Sequence, residues 1–400
     1  MTDEYDFVVV GGGPAGLQFA RAVSARSDYS IAVLERNERL SDNDKSSAAT
    51  FPEVVEGFDL PDQVVMSETE SVTLEGPTTR SSVDMRGFIL DFPRLLTFLG
   101  REAAANGTDV RTETTVTDPL VEDGAVEGVR YRDADGEAEL RAKITVDATG
   151  PDAVLTSALG FFDRTVAQRG IGLEFEAEGK YDTENSMLLK FDHEVAPGGY
   201  AWTFPAGTDV FKIGVCWVDD FRARRGTDNT IHDYVERWVA ADPRWEVEAV
   251  RAKHAGEIRS DNSIHPRAAD GFLAVGDSVS SVNPLFGEGI RPAMESAAMA
   301  VDVALAAMDD DDRSAARLRA YERRWNEERG RHWKRQRIVG ELLYDFDAGQ
   351  QDAFVERVGG LSPRQLERLR RYELTMTDLV RLYPWRVDDV TKLPRLARHL

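Results

Sequence analysis

The sequence predicts an α/β fold, in which a Rossmann-like nucleotide-binding domain carries an inserted antiparallel β-sheet domain and a helical C-terminal region. Three observations predict it. The chain opens with an apolar run that breaks into glycines, Asp-Phe-Val-Val-Val-Gly-Gly-Gly-Pro-Ala-Gly over 6–16. Residues 170–218 are strand-rich, with turns at Pro197-Gly198-Gly199 and Pro205-Ala206-Gly207. Beyond Arg291 the apolar residues recur at helical spacing among many Arg and Glu.

Phe7 to Val10 suit a buried parallel strand. Gly11 allows the tight turn, Gly13 lets a pyrophosphate approach the backbone, and Gly16 lets the following helix pack closely. That helix, opened by Pro14 and Ala15, aims its N-terminal amides at the phosphates. Glu35, nineteen residues past Gly16 and ending a strand over 30–34, accepts hydrogen bonds from a ribose, with Arg36 beside it. Strand, turn, helix, strand and acid in that order make a Rossmann-like dinucleotide site.

The stretch 37–82 is rich in Ser, Thr, Asp and Glu and leaves the sheet. Pro93 to Asn106 reads as a helix, from Leu95, Leu96, Leu99 and Ala103, stopped by Gly107. Asp109 to Val116 follows as a strand, with Val116 at its nucleotide end. Alternating segments 125–132 and 138–144 flank Asp133-Ala-Asp-Gly136, a hairpin signature, and Thr145-Val-Asp-Ala-Thr-Gly150 returns the chain to the first sheet. The domains are therefore interleaved: 1–48, 86–165 and 255–305 bind the nucleotide, 49–85 and 166–254 form the substrate sheet, and 306–400 are helical. Pro363 and Pro384 mark helix boundaries in that last part. Its basic segment 329–337, around Trp333, reads as an exposed helix face in preference to a contact with an anionic headgroup or electron donor.

With 400 residues, 42% of them hydrophobic, the chain can bury a large core. Its formal charge of -22 repels nucleic acid and anionic headgroups, so no nucleic-acid partner is expected. Abundant Asp and Glu with few Lys fit a cytosol of high salt, where screening relieves the self-repulsion. Cys216 is the one cysteine, so neither an internal disulfide nor a CxxC pair exists. An acidic start, and no run of eighteen apolar residues, lead us to expect a cytoplasmic protein. The six histidines lack ligand spacing, and no metal site is expected.

A second constellation spans 271–291, Gly-Phe-Leu-Ala-Val-Gly-Asp-Ser-Val-Ser-Ser-Val-Asn-Pro-Leu-Phe-Gly-Glu-Gly-Ile-Arg. It reads as a strand, an acid, a loop and a helix start. Asp277, after Gly276, can accept from ribityl hydroxyls. Pro284 and the run Gly287 to Ile290, with Gly289 between, bring backbone amides to a ring that becomes anionic on reduction, as a flavin does. A hydrolase reading of Gly276-Asp277-Ser278 needs a nearby His and an oxyanion hole, and the late position after a dinucleotide fold disfavours it.

Together, Gly11 to Gly16, Glu35, Asp147-Ala-Thr-Gly150 and Gly276-Asp277 with Pro284 to Gly289 resemble the FAD-binding set of flavoproteins of the aromatic-hydroxylase fold. Within that superfamily Tyr200-Ala-Trp-Thr-Phe-Pro-Ala-Gly207 is similar to the signature of geranylgeranyl reductases, including those acting on archaeal lipids and isoprenoid quinones. With the acidic composition, the resemblance is to a haloarchaeal member. It implies FAD as cofactor, with electrons from NAD(P)H or a redox protein. It also implies a prenyl lipid or quinone as substrate, and hence a possible peripheral contact with the inner face of the membrane. Arg36, Lys45, Ser46, Val116 and Gly150 are expected to complete the flavin site.

Tyr200, Trp202 and Phe204 alternate along one strand, so they share a face, and Pro205 ends the strand. Spacing alone makes that face sheet core. The resemblance makes it the wall of a greasy tunnel, with Tyr200 and Trp202 positioning the substrate and Phe204 and Pro205 in contact with it. Two departures stand out. Lys45-Ser46-Ser47-Ala48 occupies the place where some relatives carry a Lys-Pro-Cys-Gly-like segment, and Phe92-Pro93-Arg94 replaces a helix-start Arg that contacts the pyrophosphate, so that either Arg94 substitutes or the contact is lost. The reaction implied is hydride transfer from reduced flavin to an isoprenoid C=C bond. A flavin monooxygenase or halogenase, whose strand carries Trp-x-Trp-x-Ile-Pro, is the alternative, followed by a non-catalytic flavoprotein that binds a lipid or partner.

Overall fold

The computed structural model describes residues 4–44, 47–165, 167–182, 184–260 and 265–386. Two eight-stranded sheets organise them. In the first, the path runs Ala268–Ala269, Phe272–Ala274, Gly136–Asp147, Glu4–Val10, Ile31–Leu34, Asp109–Arg111, and the hairpin Thr115–Glu122 with Ala125–Asp133 joins at Gly136–Asp147. Its central pairs are parallel and in step: Val10 faces Leu34 on one side and Asp147 on the other, and Asp147 faces Ala274. The carboxyl ends of these strands therefore open at one edge, where ligands of doubly wound sheets bind. At the centre Phe7, Val8 and Val9 are fully buried, as a strand covered on both faces requires.

Helices Pro14–Ser24, Phe92–Ala105 and Ile290–Asp309 cover one face and form a single apolar cluster with it. The expected helix over 93–106 is thus present within a residue, and the expected hairpin over 125–144 closes at Asp133 opposite Gly136. One strand, Gly136–Asp147, supplies both the hairpin arm and the return to the nucleotide sheet. The run expected as a strand over 109–116 is instead divided into Asp109–Arg111 and a strand beginning at Thr115.

The second sheet has the order Trp245–Ser260, Gln168–Tyr181, Val210–Val218, Gly199–Pro205, Ser186–Lys190, Val65–Glu75, Arg80–Leu90, Ala49–Thr50. It is antiparallel except where Ser186–Lys190 runs parallel to Val65–Glu75, because the chain reaches that position from the sheet's other half. Strands Arg80–Leu90 and Trp245–Ser260 belong wholly to this sheet, so they cross the expected limits near 85 and 254. Alternation sorts the strand Val210–Val218, between Gln168–Tyr181 and Gly199–Pro205: Phe211, Ile213, Val215 and Trp217 pack under helix Ile231–Ala241, while Lys212, Gly214 and Cys216 fall on the opposite face.

That opposite face is roofed by the C-terminal helices, which include Arg331–Leu343, Ala348–Gly359, Pro363–Arg370 and Met376–Leu382. Pro363 starts one of them, and Pro384 follows the end of another. The reading of 329–337 as an exposed helix face holds for Arg331 and Lys334 and fails for the rest. Trp333 is buried and donates to the Ser281 carbonyl at 2.9 Å, Gln336 and Arg337 are buried, and Arg329 pairs with Glu295. Net basicity along a segment does not report which side chains a neighbouring acid draws inward.

Candidate active site

Two helices begin at one place without a side-chain cap. Gly13 precedes Pro14–Ser24 and Gly289 precedes Ile290–Asp309, and no side chain satisfies either start among the described residues. Five helices elsewhere are capped, by Asp91, Thr230, Ser314, Asp347 and Thr375, while the starts at Pro52, Val154, Asp219 and Arg331 also lack a side-chain cap, so it is the cavity they open on together that sets the Gly13 and Gly289 starts apart. Unmet N–H groups at a helix start favour an anionic or accepting ligand. Both starts open on a cavity of about 960 Å³ that runs from the carboxyl edge of the first sheet to the roofed face of the second.

The glycines there divide into three uses. Gly11 holds φ +108, and a Cβ on it would stand 2.4 Å from the Ala148 carbonyl oxygen. On Gly16 a Cβ would stand 2.1 Å from the Gly11 oxygen, so it serves helix packing and does not line the cavity. Gly13 has nothing within 4 Å of that position, which leaves room for a ligand against its backbone. Glu35, 6% exposed, accepts from the Gly12 amide at 2.7 Å and from the Asn37 amide at 2.9 Å, so the carboxylate is fixed in place before any ribose arrives. Pro14, Ala15, Arg36, Val116 and Gly150 all line the cavity, with Arg36 paired to Asp152 at 2.8 Å.

Asp277 supplies the test of fit. Its Oδ1 is buried without a hydrogen-bond partner, and burial raises its pKa to about 7. Asp277 lines the cavity, and a carboxyl oxygen left without a donor there matches the hydroxyl donors of a ribityl chain. Gly276 lies behind it, φ +63, with its amide on the Ser296 hydroxyl. Ser278, the nucleophile of the hydrolase reading, is buried and gives its proton to carbonyls of Asp147 and Val275, so it is not a nucleophile. Arg267, which sequence reasoning passed over, is buried against Trp325 at 4.4 Å and donates to Ser281 and Val279, bracing the 277–283 loop.

Several expected contacts are not made. Arg94 is an exposed side chain paired with Asp91 and does not line the cavity, because the helix start turns it outward. Pro284 also lies outside the main cavity, its carbonyl against the helix position of Gly340, and Pro205 ends its strand opposite Phe211 without facing the space. Lys45 and Ser46 lie outside the described residues.

Tyr200, Trp202 and Phe204 do line the cavity on one face, with ring centroids 6.0 and 6.4 Å apart. Trp202 lies across Gly214, where a Cβ would meet its ring at 2.2 Å. Its Nε1 donates to Glu174 at 2.7 Å, and Lys212 stands 3.7 Å from the same carboxylate, both charges buried. Burial pushes the Glu174 carboxyl up, against the pull of Lys212. A lone Lys in the apolar run Val210–Val218 was the signal for this pair. Tyr200 donates to the Phe286 carbonyl, tying the aromatic strand to the turn that precedes Gly287. Cys216 also reaches the cavity, but its thiol faces the Tyr200 carbonyl and burial pushes its pKa up to about 12.

A nucleotide arm joined to an aromatic chamber suits a flavin whose ring meets an apolar substrate. Comparison with known proteins gives the same answer. The lycopene cyclase protein family matches residues 6–386. Digeranylgeranylglycerophospholipid reductase of Haloferax volcanii is 36% identical, with 92% of each chain covered. Digeranylgeranylglycerophospholipid reductase 1 of Methanopyrus kandleri is 29% identical over 90% of this chain and 96% of that one. A geranylgeranyl bacteriochlorophyll reductase-like protein of Thermoplasma acidophilum superposes with a TM-score of 0.84 at 19% identity, covering 99% of this chain and 100% of its own. A flavin-dependent brominase shares the fold more distantly, with a TM-score of 0.70 at 17% identity over 99% of this chain and 100% of its own. The chain belongs to the geranylgeranyl reductase family of FAD-dependent oxidoreductases.

Proposed function

We propose that this enzyme saturates C=C bonds in the prenyl chains of a geranylgeranylated glycerol lipid. The observation that carries the reading is the continuity of the nucleotide arm with a chamber walled by Tyr200, Trp202 and Phe204 and by aliphatic side chains such as Leu74, Met187 and Leu382. A prenyl chain offers no hydrogen bonds, so shape and apolar area must hold it.

FAD, when bound, would supply hydride chemistry. The chain's residues would hold and orient it: Gly13 and the Gly289 helix start would take the accepting groups of the cofactor, Asp277 would take its hydroxyls, and the aromatic face would position an alkene. A trisubstituted alkene gathers positive charge on its more substituted carbon as it is protonated. Tyr200 and Trp202 present π faces that favour such charge. Electrons reach the flavin from NAD(P)H or from a redox protein.

No helix among the described residues is long and apolar enough to cross a membrane. Met376, Val380 and Trp385 are nevertheless exposed by 42, 49 and 44% beside Leu374 and Leu382 of the chamber wall. We read them as a peripheral membrane contact at the chamber's lipid entrance. Flotation with neutral ether-lipid vesicles in high salt should depend on these side chains, and M376D/V380D binding as well as the parent chain would end that reading.

The activity is tested by reducing the purified flavoprotein without oxygen and adding a geranylgeranylated glycerol lipid or a prenyl quinone. Flavin reoxidation with a gain of one H2 per saturated bond is expected with the lipid. Reduced flavin that survives every prenyl substrate but is consumed by oxygen with an aromatic one would support the monooxygenase or halogenase alternative.

A further inference from the structure

Protonation of an alkene needs an acid inside the chamber, and most cavity groups are engaged elsewhere. Glu35 is taken by two backbone amides, and Glu174 is set between Trp202 and Lys212. Tyr200, Tyr344 and Cys216 direct their protons to the carbonyls of Phe286, Leu285 and Tyr200. Asp277 lies next to the Gly289 helix start, where the cofactor's hydroxyls are placed. Glu288 differs. It stands on the Gly287-Glu-Gly289 turn, two residues past the carbonyl that anchors Tyr200, and its half-buried carboxyl opens on the cavity.

Neutral donors hold that carboxyl. The Tyr372 hydroxyl donates to Oε2, and the Thr50 hydroxyl donates to Oε1 at 3.3 Å. Tyr372 comes from the loop after Pro363–Arg370 and keeps φ +65, a conformation uncommon for a residue with a side chain. Such a conformation persists when the surroundings over-determine it. The turn itself is fixed, since the Asn283 amide donates to the Glu288 carbonyl at 2.9 Å.

The nearby charges are drawn away from Glu288. Arg291 lies over the Tyr372 ring at 4.3 Å and pairs with Glu295 at 2.8 Å, whose other oxygen takes Arg329. Glu53 takes Arg370 and sits 3.8 Å from Arg291. Burial raises the Glu288 pKa to about 7, against the opposing effects of Tyr372, Arg291 and Thr50. An acid poised there is half protonated near neutrality, where general acids work best.

We propose that Glu288 is the general acid that protonates the prenyl double bond, with Tyr372 and Thr50 as positioning residues. The proposal rests on the prenyl reading above. In the step, the O–H bond of Glu288 breaks and the alkene's π pair forms a C–H bond at the less substituted carbon. The more substituted carbon takes the hydride that reduced FAD supplies, so the alkene gains two electrons and the flavin loses two. Glu288 is left as a carboxylate and is reprotonated by water.

The test uses the holoenzyme, reduced without oxygen and mixed with a geranylgeranylated glycerol lipid in a single turnover. In the parent enzyme, reoxidation should fall as pH rises past the Glu288 titration. E288Q should be slower by roughly 10²–10⁴-fold, lose that pH limb, and bind the lipid with unchanged affinity. Y372F removes a donor that favours the carboxylate, so its limb should move to higher pH. Glutamate-selective 13C labelling gives a readout apart from turnover: one carboxyl titrating near neutrality should vanish in E288Q and move upward in Y372F. Unchanged rates in E288Q, a limb retained in E288Q, or no lost titration would overturn the proposal. If E288Q does not fold, an unmoved limb and carboxyl titration in Y372F does so. A parent enzyme that reduces no prenyl lipid removes the prenyl reading and the proposal with it, whereas an active parent with an unchanged E288Q removes the proposal alone.

Discussion

The two ends of the cavity are built from different materials. At the carboxyl edge of the first sheet the ligand meets backbone, shaped by Gly11, Gly13, Gly16 and two uncapped helix starts, most of them within a few residues of one another. In the chamber it meets side chains delivered from distant segments, such as Trp202 on Glu174, Tyr200 on Phe286 and Tyr372 on Glu288. Backbone geometry depends on local spacing and on the absence of Cβ atoms. The chamber depends on pairs of buried polar groups, each of which is costly to leave single.

The largest effect that would sharpen this contrast is expected from G16V. Its Cβ would stand 2.1 Å from a backbone oxygen that has little room to yield, so overpacking of about 3 kcal/mol is expected, with loss of bound flavin. Absorbance of the purified protein and its thermal midpoint check this, and a flavin-loaded G16V would break the contrast at its backbone end.

Asp277 offers a second test, through pH. Its folded pKa lies above the unfolded value, so the folded state holds the proton more firmly, and the stability of the apoprotein should fall as pH rises from about 4 to about 7. A single such group gives a slope of at most about 1.4 kcal/mol per pH unit. D277N should flatten the slope in urea unfolding at pH 5 and pH 7.5. An unaltered slope would mean that the open acceptor at the nucleotide end is not what the fold carries in expectation of its ligand.

At the chamber end, W202F leaves the Glu174 carboxyl without its Nε1 donor, an expected loss of about 2 kcal/mol measured by urea unfolding. Stability equal to that of the parent would show that shape alone builds the chamber. The smallest effect belongs to the roof. Asp378 accepts from the Thr375 amide and hydroxyl and pairs with Arg368 at 2.7 Å, which holds its carboxyl well below the usual range. D378N should lower stability by about 1 kcal/mol, a difference present near neutrality and lost as the pH falls through the depressed folded value. An effect confined to the roof should leave flavin binding intact.

The same division governs what was legible beforehand. Gly11 to Gly16 with Glu35, the 93–106 helix and the 125–144 hairpin follow from short-range spacing, and each stands where that spacing placed it. The strand of Tyr200, Trp202 and Phe204 was legible as one face, since alternation along a strand is local. Arg94 was not, because a side chain's direction at a helix start depends on the neighbour it finds, here Asp91. Trp333 and Arg329 were misplaced for a similar reason: their burial depends on Ser281 and Glu295, far away in the chain.

By itself the sequence determined the parallel nucleotide sheet, the flavin arm and the aromatic face, because glycine spacing and period-two alternation act over a few residues. Only the tertiary structure decided which acid the chamber keeps. Glu288 lies in a turn whose glycines spoke for its backbone alone. The role we propose for its side chain depends on Thr50 and Tyr372, residues from opposite ends of the chain that burial brings to one carboxyl.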